Sequence, residues 1–295
     1  MQCILSELYP CNGRSFHDGY LFDPSRLHRV RGRARDHRQS PVNVLTVPLM
    51  SELMHFLKRV EHDESTKVIV FDSADPDFFI AHVDMALADD PGALGKLGEI
   101  ALPGLNPFQS LSETLRRQPQ VTILKLAGLA RGGGAEFVAA ADMSFGAIGR
   151  AGLAQCEALM GIVPGGGATQ YLNHRSGRAR ALEIVLGADL FDAATAERYG
   201  WINRALPAQA LDAFVDRLAG NIAALPDGVV AAAKKAIPAQ DLTEGLARES
   251  EAWAGLVFLP AAAGLIGGGL ARGAQTRAGE RDLETLLRTL NAERA

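Results

Sequence analysis

The chain has few cysteines, few aromatic residues and little net charge. Its 295 residues include three cysteines and 6% aromatic residues, and the formal net charge is −4. So few thiols favour a reducing compartment, and their positions (3, 11 and 156) do not have the spacing of a metal site. The weak charge argues against a chain that binds polyanions over its whole surface. We therefore expect a cytoplasmic protein with no metal site and no nucleic-acid partner.

Long apolar runs are also lacking. No stretch of eighteen consecutive apolar residues occurs, so we expect no membrane-spanning helix. The most apolar late stretch, 254–271, is broken by Pro260 and several glycines, and it predicts two buried helix pieces. Residues 1–14 have no basic region followed by an apolar core, so we expect no signal peptide.

Apolar residues nevertheless make up 47% of the chain, which is enough for a substantial core. Runs of β-branched and other apolar residues at 67–73, 121–128 and 142–148 predict strands, and helical patterns precede and separate them. Strands that alternate with helices predict an α/β fold in which helices cover a sheet. Near the end of this region we expect a short strand over 201–206, a long helix from Ala208 to about Ala224 and a further helix opened by Pro226.

Three regions differ in composition. Residues 1–40 are rich in arginine, histidine and turn formers, and six arginines fall within 26–38. This composition predicts an atypical N-terminal arm that is solvated or partly disordered, with a nucleic-acid or phosphate contact as the alternative. We expect residues 41–205 to form the α/β core and residues 206–295 to form a helical C-terminal region.

Glycine is plentiful at two joints that lead into predicted helices. LARGGGAEF (129–137) follows an apolar run, and IVPGGGATQYL (162–172) is the second joint. A glycine-rich turn into a helix presents backbone N–H groups without intrahelical partners, which suits an anion or an oxygen that becomes one during a reaction. The first joint has neither the P-loop pattern nor the dinucleotide-binding spacing. Tight packing of the helix on the strand is the structural alternative.

Two glutamates stand in apolar surroundings next to these joints. Glu136 lies on a helix that otherwise contains phenylalanine, valine and alanine, and Glu157 precedes the second glycine turn. Burial raises the pKa of a carboxyl group and costs stability unless the group is paired or used. We therefore predict that the two glutamates act together in general acid–base chemistry on one substrate. A surface loop is the alternative setting for Glu157.

Several segments carry a resemblance to a known family. They are PVNVL (41–45), DFFIAHVDM (77–85), LARGGGAEF with the AAADMSF that follows it, AQCEALMGIVPGGGATQYL (154–172) and SGRARALEIVLGADLFDAATAERYGWINRALP (176–207). In this order and spacing they resemble the crotonase, or enoyl-CoA hydratase/isomerase, superfamily. The resemblance covers about 41–240 and depends on all of these segments together.

The resemblance implies a crotonase-like spiral of ββα units with a helical C-terminal region that serves trimerisation and covers CoA. It implies homotrimers or dimers of trimers, an acyl-CoA substrate and no cofactor, since CoA is part of the substrate. The backbone N–H groups of Val83 and Gly133 would form the oxyanion hole. Glu136 would act as base toward the water that adds at C3, and Glu157 would exchange the proton at C2. The implied substrate-binding residues are Phe79, Ala81, His82, Asp84, Gly132, Gly134, Pro164 and Gly165.

Because both acids are present, the resemblance favours an enzyme that adds water across the 2,3 double bond of an acyl-CoA thioester. An isomerase or another enolate reaction on the same fold is one alternative. A non-catalytic crotonase-like subunit with a nucleic-acid-binding arm at 26–38 is another. The acyl group, and the choice between CoA and a carrier-protein thioester, are left open by the sequence.

The chain departs from the family pattern at several positions. His82 stands where the family usually has glycine, and Cys156 stands where it usually has proline. Arg131 replaces a small or apolar residue, and it would either approach the acyl-CoA or pair with an acid. Residues 15–40 lack the alternation of the family's first two strands. The family's C-terminal lysine is missing, so Arg272 and Arg277 are the candidates for a contact with the CoA phosphate.

Overall fold

The structure, a computed structural model, describes residues 16–17, 20–21, 27–32, 42–99 and 101–294. Eleven strands occur in these residues. They are Phe16–His17 (β1), Tyr20–Leu21 (β2), Leu27–Gly32 (β3), Val68–Ser73 (β4), Phe78–Ile80 (β5), Val121–Leu126 (β6), Leu129–Arg131 (β7), Met143–Ile148 (β8), Gly152–Ala154 (β9), Phe191–Asp192 (β10) and Arg204–Pro207 (β11).

Thirteen α-helices and two short 3₁₀ helices, Met85–Asp89 and Glu157–Met160, occur in the same part of the chain. The α-helices are Val47–Val60 (α1), Pro91–Gly98 (α2), Pro107–Arg116 (α3), Gly133–Ala140 (α4), Ala168–Ser176 (α5), Arg178–Gly187 (α6), Ala193–Tyr199 (α7), Ala208–Ala223 (α8), Val229–Ala236 (α9), Thr243–Val257 (α10), Pro260–Ala271 (α11), Arg277–Glu280 (α12) and Leu283–Ala292 (α13).

The largest sheet has five parallel strands in the order β11-β8-β6-β4-β3. Its side chains alternate between two apolar layers, as the two-residue period of a strand requires. On β4, Ile69 and Phe71 pack with α1, α3 and α4 in the main core, whereas Val68 and Val70 pack against α8 on the other face. Helices therefore cover both faces of the sheet, which is the usual setting of a parallel sheet.

A second sheet of four short strands, in the order β10-β9-β7-β5, stands beside the first. The strand β6 ends at Leu126 and β7 begins at Leu129, so the chain passes from one sheet to the other through Ala127 and Gly128. A side chain at Gly128 would meet the backbone of Asp77 at 2.5 Å, so glycine is required at this crossing. The strand β7 is followed directly by α4, and the first glycine joint lies where the two meet.

Part of the N-terminal region belongs to the large sheet. The strand β3 pairs in parallel with β4 at the sheet edge, and β1 pairs with β2. Among the described residues β3 is the last strand of this sheet, and its sequence LHRVRG does not have the apolar alternation that would have revealed it. The remaining residues of the predicted arm, 1–40, lie outside the described residues.

The predicted strands at 67–73, 121–128 and 142–148 are confirmed as β4, β6 and β8. The strand expected over 201–206 begins only at Arg204, because Trp201 and Ile202 turn into the core. The prediction that Pro226 opens a helix is wrong. Gly228 has φ +84° and ends the turn, and α9 begins at Val229.

The stretch 254–271 forms the end of α10 and all of α11, two pieces as predicted. Several of its residues, among them Phe258 and Leu259, are exposed rather than buried. Among the described residues no single helix is long and apolar enough to cross a membrane. The bent pair α10 and α11, with 76° between its helices, passes that test together by length and composition only.

Candidate active site

A cavity lies between the β7–α4 turn, the loop after β5, the Glu157–Met160 helix and α10. Eight of the residues predicted from the sequence line it: His82, Val83, Asp84, Gly132, Gly133, Glu136, Glu157 and Gly165. The rest of its wall is mostly apolar and is formed by Met85, Leu87, Ala88, Phe108, Cys156, Met160, Ile162, Gly166, Trp253, Val257 and Ile266.

Four predicted substrate-binding residues do not line this cavity. The strand β5 directs Phe79 into the main core and Ala81 into a small cluster with Val42 and Val44, so neither reaches the cavity. Gly134 faces the backbone oxygen of Ile80, and this contact leaves no room for a side chain. Pro164 is buried beside the second glycine turn. Gly134 therefore serves the packing of α4 on β5.

Backbone geometry brings the two predicted oxyanion donors together. Gly132 turns the chain from β7 into α4 with φ +45° and ψ −126°, a conformation that favours glycine. Gly133 is the first residue of α4, where an N–H has no intrahelical acceptor. A side chain at Gly133 would meet the side-chain Cγ2 of Val83 at 2.6 Å, so the turn into α4 packs against the loop that carries Val83.

The loop that carries Val83 is held in an extended form by Leu45. The Leu45 N–H donates to the His82 oxygen at 2.8 Å, and the Asp84 N–H donates to the Leu45 oxygen at 3.1 Å. Within the described part of the chain, no acceptor takes up the N–H of Val83 itself. The loop thus presents one unused N–H close to the first turn of α4.

Glu136 is buried and is bound on one side. Its Oε1 accepts hydrogen bonds from the N–H groups of Gly166 (2.7 Å) and Ala168 (3.1 Å), at the second glycine turn. Burial raises the pKa of Glu136 well above its usual range, and repulsion by Glu157 and Glu249 adds to this effect. The two N–H donors oppose the rise, because they favour the charged form.

Glu157 faces the same cavity from the other side. Its Oε1 lies 2.7 Å from where a side chain at Gly132 would begin, so Gly132 also makes room for this carboxyl group. No described residue hydrogen-bonds to its buried Oε2. Burial raises the pKa of Glu157 to about 7, although the positive charge of His82 opposes the rise. Burial thus raises the pKa of both carboxyl groups, and the two titrate as a coupled pair.

A third buried carboxylate, Glu249, was not found from the sequence. Its Oε1 accepts from the Gly167 N–H (2.6 Å) and from Nε2 of Gln109 (3.1 Å). Its Oε2 accepts from the N–H (2.9 Å) and the hydroxyl (2.5 Å) of Thr169. The spacing of Leu246, Glu249 and Trp253 places the acid on the apolar face of α10, and this pattern could have revealed it.

Arg131 pairs with acids, which is one of the two roles that the sequence left open. Its Nε lies 2.6 Å from Oε1 of Glu284 and its Nη2 lies 3.1 Å from Oε2, a bidentate contact. Its Nη1 is 3.6 Å from Oε2 of Glu280. Arg131 does not line the cavity and is fully buried.

Both arginines considered for the CoA phosphate have carboxylate partners. Arg277 binds Asp75, with Nη1 at 2.6 Å from Oδ2, and also binds Asp77. Arg272 pairs with Glu293, with Nη1 at 3.0 Å from Oε1. In residues 42–99 and 101–294, no group of three or more His, Cys, Asp or Glu side chains is arranged to hold a metal ion.

Comparison with known proteins identifies the family. The model of the enoyl-CoA hydratase/isomerase family matches residues 36–257. A crystal structure from Streptomyces avermitilis, of a protein assigned as an enoyl-CoA hydratase, is 59% identical and superposes with a TM-score of 0.87. The match covers 90% of this chain and 96% of that one.

Two curated relatives are more distant. The mitochondrial methylglutaconyl-CoA hydratase of Mus musculus is 30% identical over 219 residues, which are 72% of this chain and 68% of the relative. The crotonyl-CoA hydratase of Syntrophomonas wolfei is 27% identical over 185 residues, which are 63% of this chain and 69% of the relative.

The chain belongs to the enoyl-CoA hydratase/isomerase family, and it has the crotonase fold. It is accordingly an enzyme of the enoyl-CoA hydratase type, as the resemblance implied.

Proposed function

We propose that the protein adds water across the 2,3 double bond of an acyl-CoA thioester, through an enolate that two backbone N–H groups stabilise. The observation that carries the proposal is the arrangement of Glu136 and Glu157 on two sides of one cavity, next to the N–H groups of Val83 and Gly133. An acid, a base and an oxyanion site within one cavity are the groups that this reaction needs.

The hydrogen bonds support different roles for the two acids. Glu136 accepts two backbone N–H groups at the start of α5, which favour a negative charge on it. Glu157 has a buried oxygen with no described partner, which favours a bound proton there. Glu136 is therefore the base and Glu157 the acid when water is added.

The reaction then proceeds as a syn addition. Glu136 takes a proton from water, and the oxygen of that water bonds to C3. The electron pair of the double bond moves to the thioester oxygen, where Val83 and Gly133 donate hydrogen bonds to it. Glu157 gives its proton to C2, and one proton passes from Glu136 to Glu157 to restore the pair. No cofactor beyond the CoA of the substrate takes part in the proposed reaction.

The lining favours an uncharged acyl group. Among the described residues that form the wall of the cavity, none is a lysine or an arginine, and the only cationic side chain, His82, already binds Glu280. The wall includes aromatic and aliphatic residues such as Phe108, Trp253 and Ile266. A free carboxylate on the acyl chain would have no cationic partner in this wall and would be costly to bury.

We also propose a homotrimer or a dimer of trimers in the cytoplasm. Large apolar side chains such as Leu186, Ile237 and Phe258 are between 65% and 80% exposed in the single chain, and association would cover them. The scarcity of cysteine supports a reducing compartment.

Crotonyl-CoA hydration tests the proposal, followed by the loss of enoyl thioester absorbance. We expect Glu136→Gln and Glu157→Gln each to lower kcat by about 10²- to 10⁴-fold, the usual range for an acid or base. The exposed acid Glu251 lies outside the cavity, so Glu251→Gln is the matched control and should keep wild-type turnover. Full turnover in both active-site variants would refute the roles. A product formed in heavy water that has a shifted double bond and no hydroxyl group would show that the enzyme catalyses isomerisation instead of hydration.

A further inference from the structure

The C-terminal segment 275–284 lies directly on the loop that carries Val83. The Met85 N–H donates to Oε1 of Gln275 at 2.6 Å, and Nε2 of Gln275 donates to Oδ1 of Asp84 at 3.1 Å. Gln275 has φ +64°, a left-handed conformation that is unfavourable for a residue other than glycine. Such a conformation persists only where the surrounding contacts enforce it, which indicates a tight junction between the two segments.

His82 is buried inside this junction, and both of its ring nitrogens face oxygen acceptors. Nδ1 lies 2.6 Å from the backbone oxygen of Val83, and Nε2 lies 2.9 Å from Oε1 of Glu280. A neutral imidazole has only one N–H, so it can satisfy only one of the two acceptors. Both contacts are hydrogen bonds only when His82 is an imidazolium ion.

The charges around His82 balance. Oε1 of Glu280 also accepts the Gln275 N–H at 2.8 Å, and Oε2 of Glu280 faces Arg131 at 3.6 Å. Arg131 is in turn bound by Glu284. Two cations and two anions therefore form a chain of contacts, and every one of the four side chains is at most 7% exposed. Buried charges are tolerated when they are paired in this way.

We propose that His82, Glu280, Arg131 and Glu284 form a positioning network that fixes the two oxyanion donors relative to each other, with His82 held as an imidazolium ion. His82 directly precedes Val83, and Arg131 lies two residues before Gly133. Both are anchored to acids of α12 and α13, so the C-terminal region sets the distance between the two donors. The proposal rests on the proposed function only in the identity of the donors.

The network also affects the pKa of Glu157, the proposed acid. The described charged groups that face His82 are Glu280 from α12, Arg131 from β7 and Glu157 from its 3₁₀ helix. The positive charge of His82 opposes the rise in the pKa of Glu157. Loss of that charge should therefore raise the pKa of Glu157 further and keep it protonated to higher pH.

The variant His82→Gln tests the network through the proposed activity. We expect kcat for crotonyl-CoA to fall by about 10- to 100-fold, since small displacements of a positioned group have effects of this size, while KM changes little. We also expect the basic limb of the pH profile to move to higher pH. His55→Gln, at an exposed histidine of α1, is the matched control and should leave both unchanged. A folded His82→Gln enzyme with wild-type kcat and an unmoved pH profile would overturn the proposal.

A measurement on the wild-type protein does not depend on the folding of the variant or on activity. The chain has seven histidines, and an unperturbed imidazole is neutral at pH 8.5 because its reference pKa is about 6.5. In a solid-state ¹⁵N spectrum of the histidine-labelled protein at pH 8.5, we expect an imidazolium signal that is absent from the spectrum of His82→Gln. No imidazolium signal at this pH would refute the network even if hydration is observed. An imidazolium signal without hydration would refute the proposed function alone.

Discussion

Glu136 and Glu249 accept hydrogen bonds from alternate N–H groups of one four-residue stretch. The N–H groups of Gly166 and Ala168 donate to Glu136, and those of Gly167 and Thr169 donate to Glu249. The start of α5 is therefore held between two carboxylates. One of them faces the cavity and the other is anchored on α10, so Glu249 fixes the turn that orients Glu136.

We predict that Glu249→Gln lowers kcat for crotonyl-CoA while KM stays nearly constant. The new amide group keeps one acceptor oxygen but places an NH₂ group opposite the N–H donor of either Gly167 or Thr169, so the turn must shift and Glu136 with it. Loss of buried hydrogen bonds of this kind also costs about 1–3 kcal/mol of stability. Steady-state kinetics and thermal unfolding measure the two effects. Glu251→Gln, on the exposed side of the same helix, should show neither, and an unchanged kcat in Glu249→Gln would contradict the positioning role.

The rate of hydration should depend on pH through the Glu157 proton. Burial raises the pKa of Glu157 to about 7, and the proposed acid must carry its proton to react. Because the acid must be protonated, kcat/KM for crotonyl-CoA should fall as the pH rises through about 7, roughly tenfold per unit beyond it. A profile that instead rises through this range would contradict the assignment of Glu157 as the acid.

The same carboxyl group should destabilise the folded protein at high pH. Its pKa is raised from 4.5 to about 7, so the folded state holds the proton more tightly than the unfolded state. Stability is therefore lost as the pH rises from 4.5 to 7, by about 3 kcal/mol at about 1.4 kcal/mol per pKa unit. We predict that Glu157→Gln raises the free energy of unfolding by about this amount at pH 8 and by much less at pH 5. Denaturant unfolding of both proteins at pH 5 and pH 8 measures this difference. An equal increase in the free energy of unfolding at both pH values would show that the proton on Glu157 is not its cause.

Local patterns in the sequence pointed to residues of the cavity. They did not show the contacts between residues that are far apart in the chain. Glu136 and Glu157 stand out because acids are rare in apolar surroundings, and the glycine turns mark where backbone N–H groups are available. Glu249 was missed because its partners lie about 80 residues away in the chain, at Gly167 and Thr169. The partners of Arg131 are about 150 residues away, so the sequence could only leave its role open.

Gly134 is a further residue whose contacts the sequence did not show. Its place in a glycine run suggested contact with substrate, but the structure packs it on the Ile80 oxygen. Because that oxygen belongs to the backbone of β5, it cannot move aside. We predict that Gly134→Ala greatly lowers the yield of folded protein and the midpoint of thermal unfolding. Gly98→Ala, where a side chain would have open space, is the control and should be neutral. Normal stability in Gly134→Ala would show that α4 can shift away from β5.

The cavity should discriminate between acyl groups by their charge. Crotonyl-CoA has an uncharged acyl group, whereas the acyl group of methylglutaconyl-CoA carries a free carboxylate. The cavity wall, which includes Phe108, Trp253 and Ile266, has no lysine or arginine among its described residues to receive it. Burying an unpaired carboxylate costs several kcal/mol, so we predict that kcat/KM is at least about 100-fold lower for methylglutaconyl-CoA than for crotonyl-CoA. Ile266→Arg would supply a cation at this wall and should reduce that ratio, whereas Ile266→Met should preserve it. Equal kcat/KM for the two substrates in the wild-type enzyme would show that the acyl carboxylate reaches solvent or a partner outside this wall.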